Sequence, residues 1–532
     1  MASSTRELIG LHSSRLVALL GRWPNSRGPL YRQLATRLEE LIVRGEIGAE
    51  QRLPAERALA DALAISRTTA VAAYDVLRDK GLVERRRGSG TWVSRPSRPV
   101  RGVVSPFNPL FLQLLDPARD LIDMTFAAPT ALDALPDIID DALAAAARWR
   151  KLGIGYFPGG LPGLREAVAA RYSEQGLPTN AGQIVVTSGA QQALSLLAQL
   201  FVRPGDAVAV EEVTYPGALD AFAGTGARIR GVALTTAGVD VDELEDVVLR
   251  TSPRLIYLVP TFQNPSGAVL PIWARRRIVE IAEASRVPVI DDQVLAELAF
   301  DGTAQPPPLA CYEGRVPVVS VGSLSKLVWG GLRVGWVRAD EQTVAEVARL
   351  KAVADLGTDV LSQTVAVELF ARLDAVAVER RRELRARRDQ LIGLLRAVLP
   401  AWEFNVPDGG QTLWVRLPGC EVRRFAQVAL RHGVAVLEGS SLAVGEAGNE
   451  HLRLPLTLPA ELLARGVERL KIAWLEYQGL QSASPPHQPS GASSSRSIGA
   501  KLAPLALDSV AVARDTPKDA AVSTKPDDEL DR

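Results

Sequence analysis

The 532-residue sequence contains little cysteine and little histidine. Its two cysteines, Cys311 and Cys420, lie far apart and have no paired spacing, which argues against a disulfide framework or a zinc cluster. The four histidines are scattered without the spacing of metal ligands, so we expect no bound metal. We therefore expect the protein to reside in a reducing compartment, the cytoplasm.

Long apolar runs and a net charge are also missing. No uninterrupted apolar run approaches the roughly 20 residues that a membrane-spanning helix requires. The first ten residues, MASSTRELIG, lack the apolar core of a signal peptide, so we expect a soluble intracellular protein. Basic and acidic residues number 61 each, so any nucleic-acid-binding surface must be local. The chain is too long for one compact core, which predicts several domains.

One stretch, VPVVSVGSLSKLVWGGLRVGWVR at 316–338, combines a buried strand with reactive side chains. Its β-branched start predicts a strand that delivers Lys326 into a turn containing Ser323 and Ser325, and Arg333 follows. A lysine amine attacks an aldehyde only after it loses its proton, which burial beside positive charge favours. Hydroxyl and guanidinium groups bind a phosphate dianion. The stretch therefore suggests a pyridoxal phosphate (PLP) site; the alternative at this point is a surface loop with a solvated lysine.

Residues 29–93 predict three short helices followed by a basic hairpin. Ser66 is predicted to cap the third helix, whose first turn exposes Arg67 and two threonines for contact with phosphates and base edges. A glycine turn then joins two short strands, as in the wing of a winged helix-turn-helix. The alternative, a helical bundle with a solvated charge run, explains the composition but not the order of these parts.

This segment resembles the GntR family of bacterial DNA-binding domains. The matching residues are Pro29 to Tyr31, Leu53 to Arg57, Ser66 to Thr69, and Gly81 to Val93. The resemblance implies contacts with operator DNA from the third helix, the wing and one residue of the second helix. The expected contact residues are Arg57, Ser66, Arg67, Thr68, Thr69, Arg86, Arg87, Gly88, Ser89 and Gly90.

Between about residues 120 and 480, strand-like and helical runs alternate, which predicts an α/β fold with a mainly parallel sheet. Chemically useful residues follow several of these strands, and ligand sites of such sheets lie at strand carboxyl ends. These residues are a glycine loop for a phosphate (Ser188, Gly189 and Ala190), Tyr215, Asn264, Asp291, Lys326 and Arg333. Tyr215 is alternatively a turn-packing residue, and Asn264 an ordinary turn former. We expect Asp291 to pair with a protonated pyridine nitrogen, and Asp292 to be solvated or to cap a turn.

Residues 155–474 resemble the fold type I aminotransferases. The resemblance implies that Lys326 bonds covalently to PLP, Asp291 pairs with the pyridine nitrogen, Asn264 bonds the phenolic oxygen and Tyr215 lies against the ring. It also implies a set of phosphate contacts and a carboxylate contact. Ser188, Gly189, Ala190, Ser323 and Arg333 would hold the phosphate, Tyr156 would reach the phosphate of the adjacent subunit, and Arg453 would grip a substrate α-carboxylate.

The sequence departs from this family at one point. Relatives often place a tyrosine two or three residues after the aspartate, whereas here Gln293, Val294 and Leu295 follow Asp291. The phenolic oxygen then has fewer donors, which puts the catalytic tuning of the cofactor in doubt. Further along, a basic run at 379–388 is interpreted as a solvated helix face.

The two resemblances together match the layout of the MocR regulators: an α+β winged helix-turn-helix followed by an α/β aminotransferase-like domain with a large and a small lobe. The expected segments are a flexible N-terminus (1–28), a GntR-like domain (29–94), a linker (95–119), a PLP-binding domain (120–480) and a disordered tail (481–532). We expect a transcription regulator that binds operator DNA, PLP and an amino compound as a head-to-tail homodimer. Two alternatives stay open: an active aminotransferase with secondary DNA binding, and a module whose body only dimerises.

Overall fold

The computed structural model describes residues 11–482, except residues 22, 25–27, 44–45, 49, 87, 95–120, 145–148, 150–152, 301–304, 313 and 315. The predicted linker, the predicted tail beyond residue 482 and the wing residue Arg87 lie outside the described residues. In the part that is described, no helix is long and apolar enough to cross a membrane.

The N-terminal region, the head, consists of four helices and a two-stranded hairpin. Its elements are α1 (Ser13–Leu20), α2 (Leu30–Val43), α3 (Glu56–Leu63), α4 (Arg67–Asp79), β1 (Val83–Arg86) and β2 (Gly90–Val93). Ser66 caps α4 as predicted, because its hydroxyl oxygen accepts a hydrogen bond from the backbone amide of Thr69 at 3.1 Å. The two strands pair antiparallel and form the wing.

Helix α1 corrects the prediction of a flexible N-terminus over residues 1–28. Leu16, Leu20 and Trp23 are buried in the same apolar cluster as Leu38 of α2 and Leu77 of α4. Leu16 and Leu20 are four residues apart, so both lie on the helix face that packs against the head. The segment from residue 13 to 20 is therefore part of the head.

The large lobe is built on a seven-stranded sheet. Its strands are β4 (Ile184–Thr187), β5 (Ala207–Glu211), β6 (Arg228–Val232), β9 (Leu255–Leu258), β10 (Val289–Asp292), β11 (Val318–Ser323) and β12 (Gly335–Arg338). Across the sheet they lie in the order β4, β12, β11, β10, β9, β5, β6. The strands from β11 to β6 run parallel, and β12 lies antiparallel to both of its neighbours. The predicted mainly parallel sheet is confirmed.

Helices cover both faces of this sheet. They are α5 (Leu135–Ala144), α6 (Pro162–Glu174), α7 (Ala190–Phe201), α8 (Pro216–Gly224), α9 (Val241–Thr251), α10 (Ile272–Ser285), α11 (Glu341–Asp355), α12 (Val360–Phe370) and α13 (Leu373–Val398), with a small hairpin, β7 (Leu234–Thr235) and β8 (Gly238–Val239). Alternate strand residues point to opposite faces, so Ile256 and Val289 join one apolar cluster, and Tyr257 and Ile290 the other.

The small lobe has a five-stranded sheet and two helices. Its elements are β3 (Ile122–Met124), β13 (Glu403–Phe404), β14 (Thr412–Arg416), α14 (Val422–Arg431), β15 (Val434–Glu438), β16 (His451–Pro455) and α15 (Ala460–Ser482). The strand order is β13, β14, β16, β15, β3. Strand β3, which follows the head and the linker in the chain, pairs parallel with β15. The first strand after the linker thus belongs to the small lobe, although the next residues lead to the large lobe.

The head contacts the small lobe through α3 and α14. The Arg431 guanidinium at the end of α14 donates to the carbonyl of Leu63, the last residue of α3, at 3.2 Å, and to Glu476 at 2.8 Å. The Trp23 indole donates to the side-chain oxygen of Gln427 at 3.3 Å. These bonds fix the end of α3 against the small lobe.

The basic run at 379–388 corrects another interpretation, since it is not uniformly solvated. Arg380 is 1% exposed, and its guanidinium donates to the carbonyls of Leu327 and Val328, at 3.0 and 2.9 Å. Burial leaves the guanidinium no water to bond, so backbone carbonyls take that place. Arg380 thereby supports the loop that carries Lys326.

Candidate functional site

A cavity of about 220 Å³ lies at the carboxyl ends of the large-lobe strands, with walls from both lobes. It brings together most of the residues predicted for a PLP site. Among the lining residues are Phe126, Ala127, Ala190, Gln191, Tyr215, Asn264, Asp292, Val294, Leu295, Ser325, Lys326, Arg333, Gln411, Thr412 and Arg453.

Lys326 lies at the floor of this cavity. Its ammonium donates to the backbone carbonyl of Ala127 at 2.6 Å. Burial, together with the nearby positive charge of Arg453, lowers the pKa of Lys326 to about 8, although the carboxylate of Asp292 opposes this shift. Close to neutral pH, a substantial fraction of this amine is therefore uncharged and nucleophilic.

The aspartate that faces the cavity is Asp292, which corrects the prediction of Asp291. The Asp291 carboxylate points to the other face of the sheet, where it accepts hydrogen bonds from the amide of Leu309 at 2.9 Å and from Gln293 at 2.8 Å. Asp292 shares its face with Ile290, is 4% exposed, and accepts a hydrogen bond from the hydroxyl of Tyr257 at 2.8 Å. The expectation that Asp292 is solvated is therefore wrong, although its other oxygen does accept from the amide of Val294.

Burial raises the pKa of Asp292 to about 6. A cation placed beside this carboxylate would keep it ionised, because an opposite charge in a dry site favours the charged form. A protonated pyridine nitrogen is such a cation. With Asp292 in this position, the residues two and three further on are Val294 and Leu295, so the missing tyrosine is replaced by two apolar side chains of the cavity wall.

The anion-binding end of the cavity is formed by the start of α7 and by Arg333. Gly189, the N-cap of α7, has φ +99°, and a Cβ there would lie 3.1 Å from the Arg333 guanidinium. Glycine is required because the guanidinium and the helix amides converge on this point. Arg333 itself donates to the carbonyls of Ser188 and Gly330. Helix N-terminal amides and a guanidinium are suitable partners for a phosphate.

Two of the predicted phosphate contacts lie elsewhere. The backbone amide of Ser188 donates to the side-chain oxygen of Gln192 at 2.8 Å, so it is already occupied. The hydroxyl of Ser323 is buried behind the cavity, where it donates to the carbonyl of Val334 at 2.9 Å. Ser325 lines the cavity instead.

Tyr215 and Asn264 form one wall, and a buried carboxylate supports both. The Tyr215 hydroxyl donates to Gln191 at 3.0 Å, and burial raises the pKa of Tyr215 to about 12, so it stays neutral. Behind them, Glu211 accepts hydrogen bonds from Thr214 at 2.8 Å and from Gln263 at 3.2 Å, the residues that precede Tyr215 and Asn264. The ends of β5 and β9 are thus held together beneath the wall.

Arg453 of β16 lies at the opposite end and is 3% exposed. Its guanidinium donates to the carbonyl of Thr125 and, at 3.5 Å, to the side chain of Asn264. Its Nε has no partner among the described residues, and burial lowers the pKa of Arg453 to about 10. A buried guanidinium with unused donor capacity is suited to a carboxylate ligand.

The sequence did not predict the backbone acceptors of this site. The carbonyls of Thr125 and Ala127 accept hydrogen bonds from Arg453 and Lys326 in a segment that follows β3. Gln411 was missed as well; its amide nitrogen donates to the carbonyl of Lys326 at 2.6 Å. Backbone carbonyls carry no sequence signal, whereas the glycine pair before Gln411 marked a turn at this point.

The donor set fits PLP. A nucleophilic lysine, a buried carboxylate for the pyridine nitrogen, an aromatic ring beside the cavity and an anion site at a helix N-terminus all line one cavity. Tyr156 is outside this cavity and is 61% exposed, so within this chain it makes no part of the site.

The predicted DNA surface gathers on one side of the head at the start of α4 and in the wing. Arg57, Ser66, Arg67 and Thr68 are exposed, and Thr69 is half-buried. The Ser66 hydroxyl lies 2.7 and 2.8 Å from the hydroxyls of Thr68 and Thr69, so the cap is a cluster of three hydroxyls.

In the wing, Gly88 and Gly90 are exposed and Ser89 is half-buried. The indole of Trp92, which the sequence did not single out, donates to the carbonyl of Ser89 at 3.0 Å and fixes the turn. Arg86 stacks on the Trp92 ring with its guanidinium carbon 4.8 Å from the centroid, and it donates to Glu84 at 2.6 Å.

Comparison with known proteins agrees with this two-part arrangement. The model of the gntR family of bacterial regulatory proteins matches residues 30–93, and that of aminotransferase class I and II matches residues 125–470. Over 450 residues the chain is 30% identical to the uncharacterized HTH-type transcriptional regulator YdcR of Escherichia coli (strain K12), with 80% of this chain and 94% of YdcR covered. It is 28% identical over 418 residues to the probable rhizopine catabolism regulatory protein MocR of Rhizobium meliloti, with 73% and 82% covered.

Among solved structures, LysN is similar, an α-aminoadipate aminotransferase from Thermus thermophilus complexed with N-(5'-phosphopyridoxyl)-L-leucine. The TM-score is 0.64 at 30% identity, covering 70% of this chain and 96% of LysN.

Proposed function

Since this chain belongs to the aminotransferase class I and II family and joins that domain to a gntR-family DNA-binding head, as MocR-type regulators do, we propose that its PLP pocket controls operator binding. The signal is PLP itself or an amino compound. The observation that carries this proposal is that Lys326 and Arg453 both donate to carbonyls of the segment after β3, the first described strand that follows the head and linker. A ligand that takes these donors changes the contacts of that segment.

The cofactor is held by residues at three points of the cavity. Lys326 binds its aldehyde carbon, Asp292 its pyridine nitrogen, and the α7 N-terminus with Arg333 its phosphate. Tyr215 lies against the ring, and Asn264 hydrogen-bonds the phenolic oxygen. Bound PLP supplies an electron-withdrawing ring to which an amino compound becomes attached through its nitrogen. The residues of this chain orient that ring and exclude water around the Lys326 amine.

An amino acid effector would place its carboxylate against Arg453. Forming that ion pair requires the guanidinium to release the Thr125 carbonyl, because both cannot occupy the same donor. Lys326 releases the Ala127 carbonyl in the same way when its nitrogen becomes bound to the cofactor. Both events act on residues 125–127, so ligand binding favours a second arrangement of this segment.

Two physical connections lead from this segment to the head. Strand β3 continues towards the linker, and it pairs with β15, which follows α14. Arg431 at the end of α14 bonds the last carbonyl of α3 in the head. A shift of the small lobe therefore bears on the helix pair that binds DNA.

The remaining parts of the proposal concern assembly and location. The exposed side chains of Ile154 and Tyr156, 85% and 61% accessible, favour a homodimer in which Tyr156 serves the adjacent subunit's phosphate. A head-to-tail pair presents two heads to repeated half-sites of one operator. The sequence boundaries at residues 29–94 and 120–480 stay predictions, as does a cytoplasmic location, which DNA binding favours.

An active aminotransferase is the second candidate, and the presence of Lys326, Asp292 and Arg453 in one cavity favours it. Against it, Val294 and Leu295 leave the phenolic oxygen without a tyrosine donor. Steady conversion of an amino donor and a keto acid would support the enzyme; a spectral change without turnover would support the sensor.

The test uses the full-length protein and two variants. We expect PLP to produce an absorbance band that is absent in Lys326→Ala, and Arg67→Ala to lose operator binding while the band persists. The operator is found by locating the promoter that the protein occupies in cells, and its affinity is then measured with and without PLP. Operator affinity that PLP leaves unchanged would overturn the sensor proposal.

A further inference from the structure

A buried lysine lies behind the phosphate end of the cavity, outside the predicted site. Lys351 of α11 has a side chain that is 0% exposed, and its ammonium donates to Asp355 at 2.7 Å and to the side-chain oxygen of Gln192 at 2.9 Å. A lysine is rarely fully buried unless its charge is paired, so this position has a specific requirement for it.

Gln192 connects this lysine to the anion-binding loop. It is the third residue of α7, and its Oε1 accepts a second hydrogen bond, from the backbone amide of Ser188 at 2.8 Å. Its Nε2 donates to Asp355 at 2.6 Å. The lysine and the backbone amide both require an acceptor and the carboxylate requires a donor, so the orientation of the carboxamide is determined.

This network decides which backbone amides remain for the anion. The Ser188 amide is occupied by Gln192, while the first amides of α7 have no acceptor within the helix. The loop that carries them, with Gly189 in a positive-φ conformation, is held from behind by Gln192. The charges of Lys351 and Asp355 largely offset each other at a distance, so the effect of Lys351 acts through the position of Gln192 and the loop.

We propose that Lys351 is a positioning residue for the cofactor phosphate, acting through Gln192 on the loop 188–190. This inference rests on the proposed binding of PLP by this cavity. It assigns Lys351 to the phosphate and not to the ring or the aldehyde, which are held by other elements. Ligands with and without the phosphate therefore distinguish this role from a general contribution to folding.

The experiment compares PLP with pyridoxal, which lacks the phosphate, on full-length wild-type protein and on Lys351→Met. Binding is followed by the absorbance change and by the ³¹P signal of PLP. We expect the PLP-to-pyridoxal affinity ratio to fall about tenfold in Lys351→Met, which corresponds to roughly one lost hydrogen bond to a charged group. Pyridoxal affinity should be unchanged, and the ³¹P resonance of bound PLP should shift.

Two further variants support the interpretation. Gln192→Leu removes the connection from its other side and should lower the same ratio even if Lys351→Met fails to fold. Lys80→Met is the matched control, since Lys80 pairs with Glu39 in the head and should leave both affinities unchanged.

An unchanged ratio in folded Lys351→Met and Gln192→Leu overturns the inference, whether or not both affinities fall together. A wild-type protein that takes up neither aldehyde overturns instead the proposed function on which the inference rests.

Discussion

The pKa of Lys326 gives a direct prediction for the rate at which the protein captures an aldehyde. Burial and Arg453 lower this pKa to about 8, against about 10.4 for a lysine in water. Only the neutral amine attacks, so the capture rate should rise about tenfold per pH unit below pH 8 and level off above it. At pH 7 about one amine in ten is neutral, against roughly one in 2500 for an ordinary lysine, an advantage of about 200-fold.

The assay is stopped-flow absorbance after mixing PLP with the protein between pH 6 and pH 10. Nα-acetyl-lysine serves as the reference amine, because dividing by its rate removes the titrations of PLP itself. Asp292→Asn should move the plateau to lower pH, since the Asp292 carboxylate raises the pKa of Lys326, and Arg453→Met should move it to higher pH. A rate that keeps rising with pH up to pH 10 in the wild-type protein would refute the claim that Lys326 is held partly neutral.

Three further predictions concern the pocket, the head and the contact between them. Asp292→Asn should weaken PLP affinity about tenfold in a fluorescence titration because the pyridine nitrogen loses its ionic partner, whereas Asp291→Asn should change it less than about threefold; the reverse order would contradict the placement of Asp292. Ser66→Ala should destabilise the head by about 1 kcal/mol in thermal denaturation and weaken operator binding, and Ser66→Asn should restore both; equal stability of all three proteins would exclude a cap. Arg431→Met should leave PLP affinity unchanged but reduce the effect of PLP on operator affinity in fluorescence anisotropy, with the exposed Arg416→Met as control; an undiminished effect would argue against this contact as a route.

The sequence predicted the two-part architecture and most of the cavity because those features have local signals. Glycine before a helix marked the anion site, and the turn after a buried strand marked Lys326. The residue parity of β10 had no such signal: the strand is buried on both faces, so no alternation of polar and apolar residues distinguished Asp291 from Asp292.

Tertiary contacts account for the other differences. The acceptors at Thr125 and Ala127 are backbone groups, which any residue supplies. Arg380 was predicted to be solvated because its neighbours are charged, although it bonds the carbonyls of a loop about 50 residues away in the chain. Lys351 was overlooked because a lone lysine in a helix carries no sign that it is buried against α7.

The network around Lys351 also extends away from the cavity. The Asp355 carboxylate accepts a hydrogen bond from the amide of Gly357 at 2.9 Å, and a Cβ at Gly357 would lie 2.5 Å from the carbonyl oxygen of Phe157. Phe157 follows Tyr156, which in the proposed dimer serves the second subunit. Occupation of one anion site is thereby linked to the residue that completes the other, so the dimer would load its two cofactors cooperatively and give a sharper response to coenzyme supply than two independent sites.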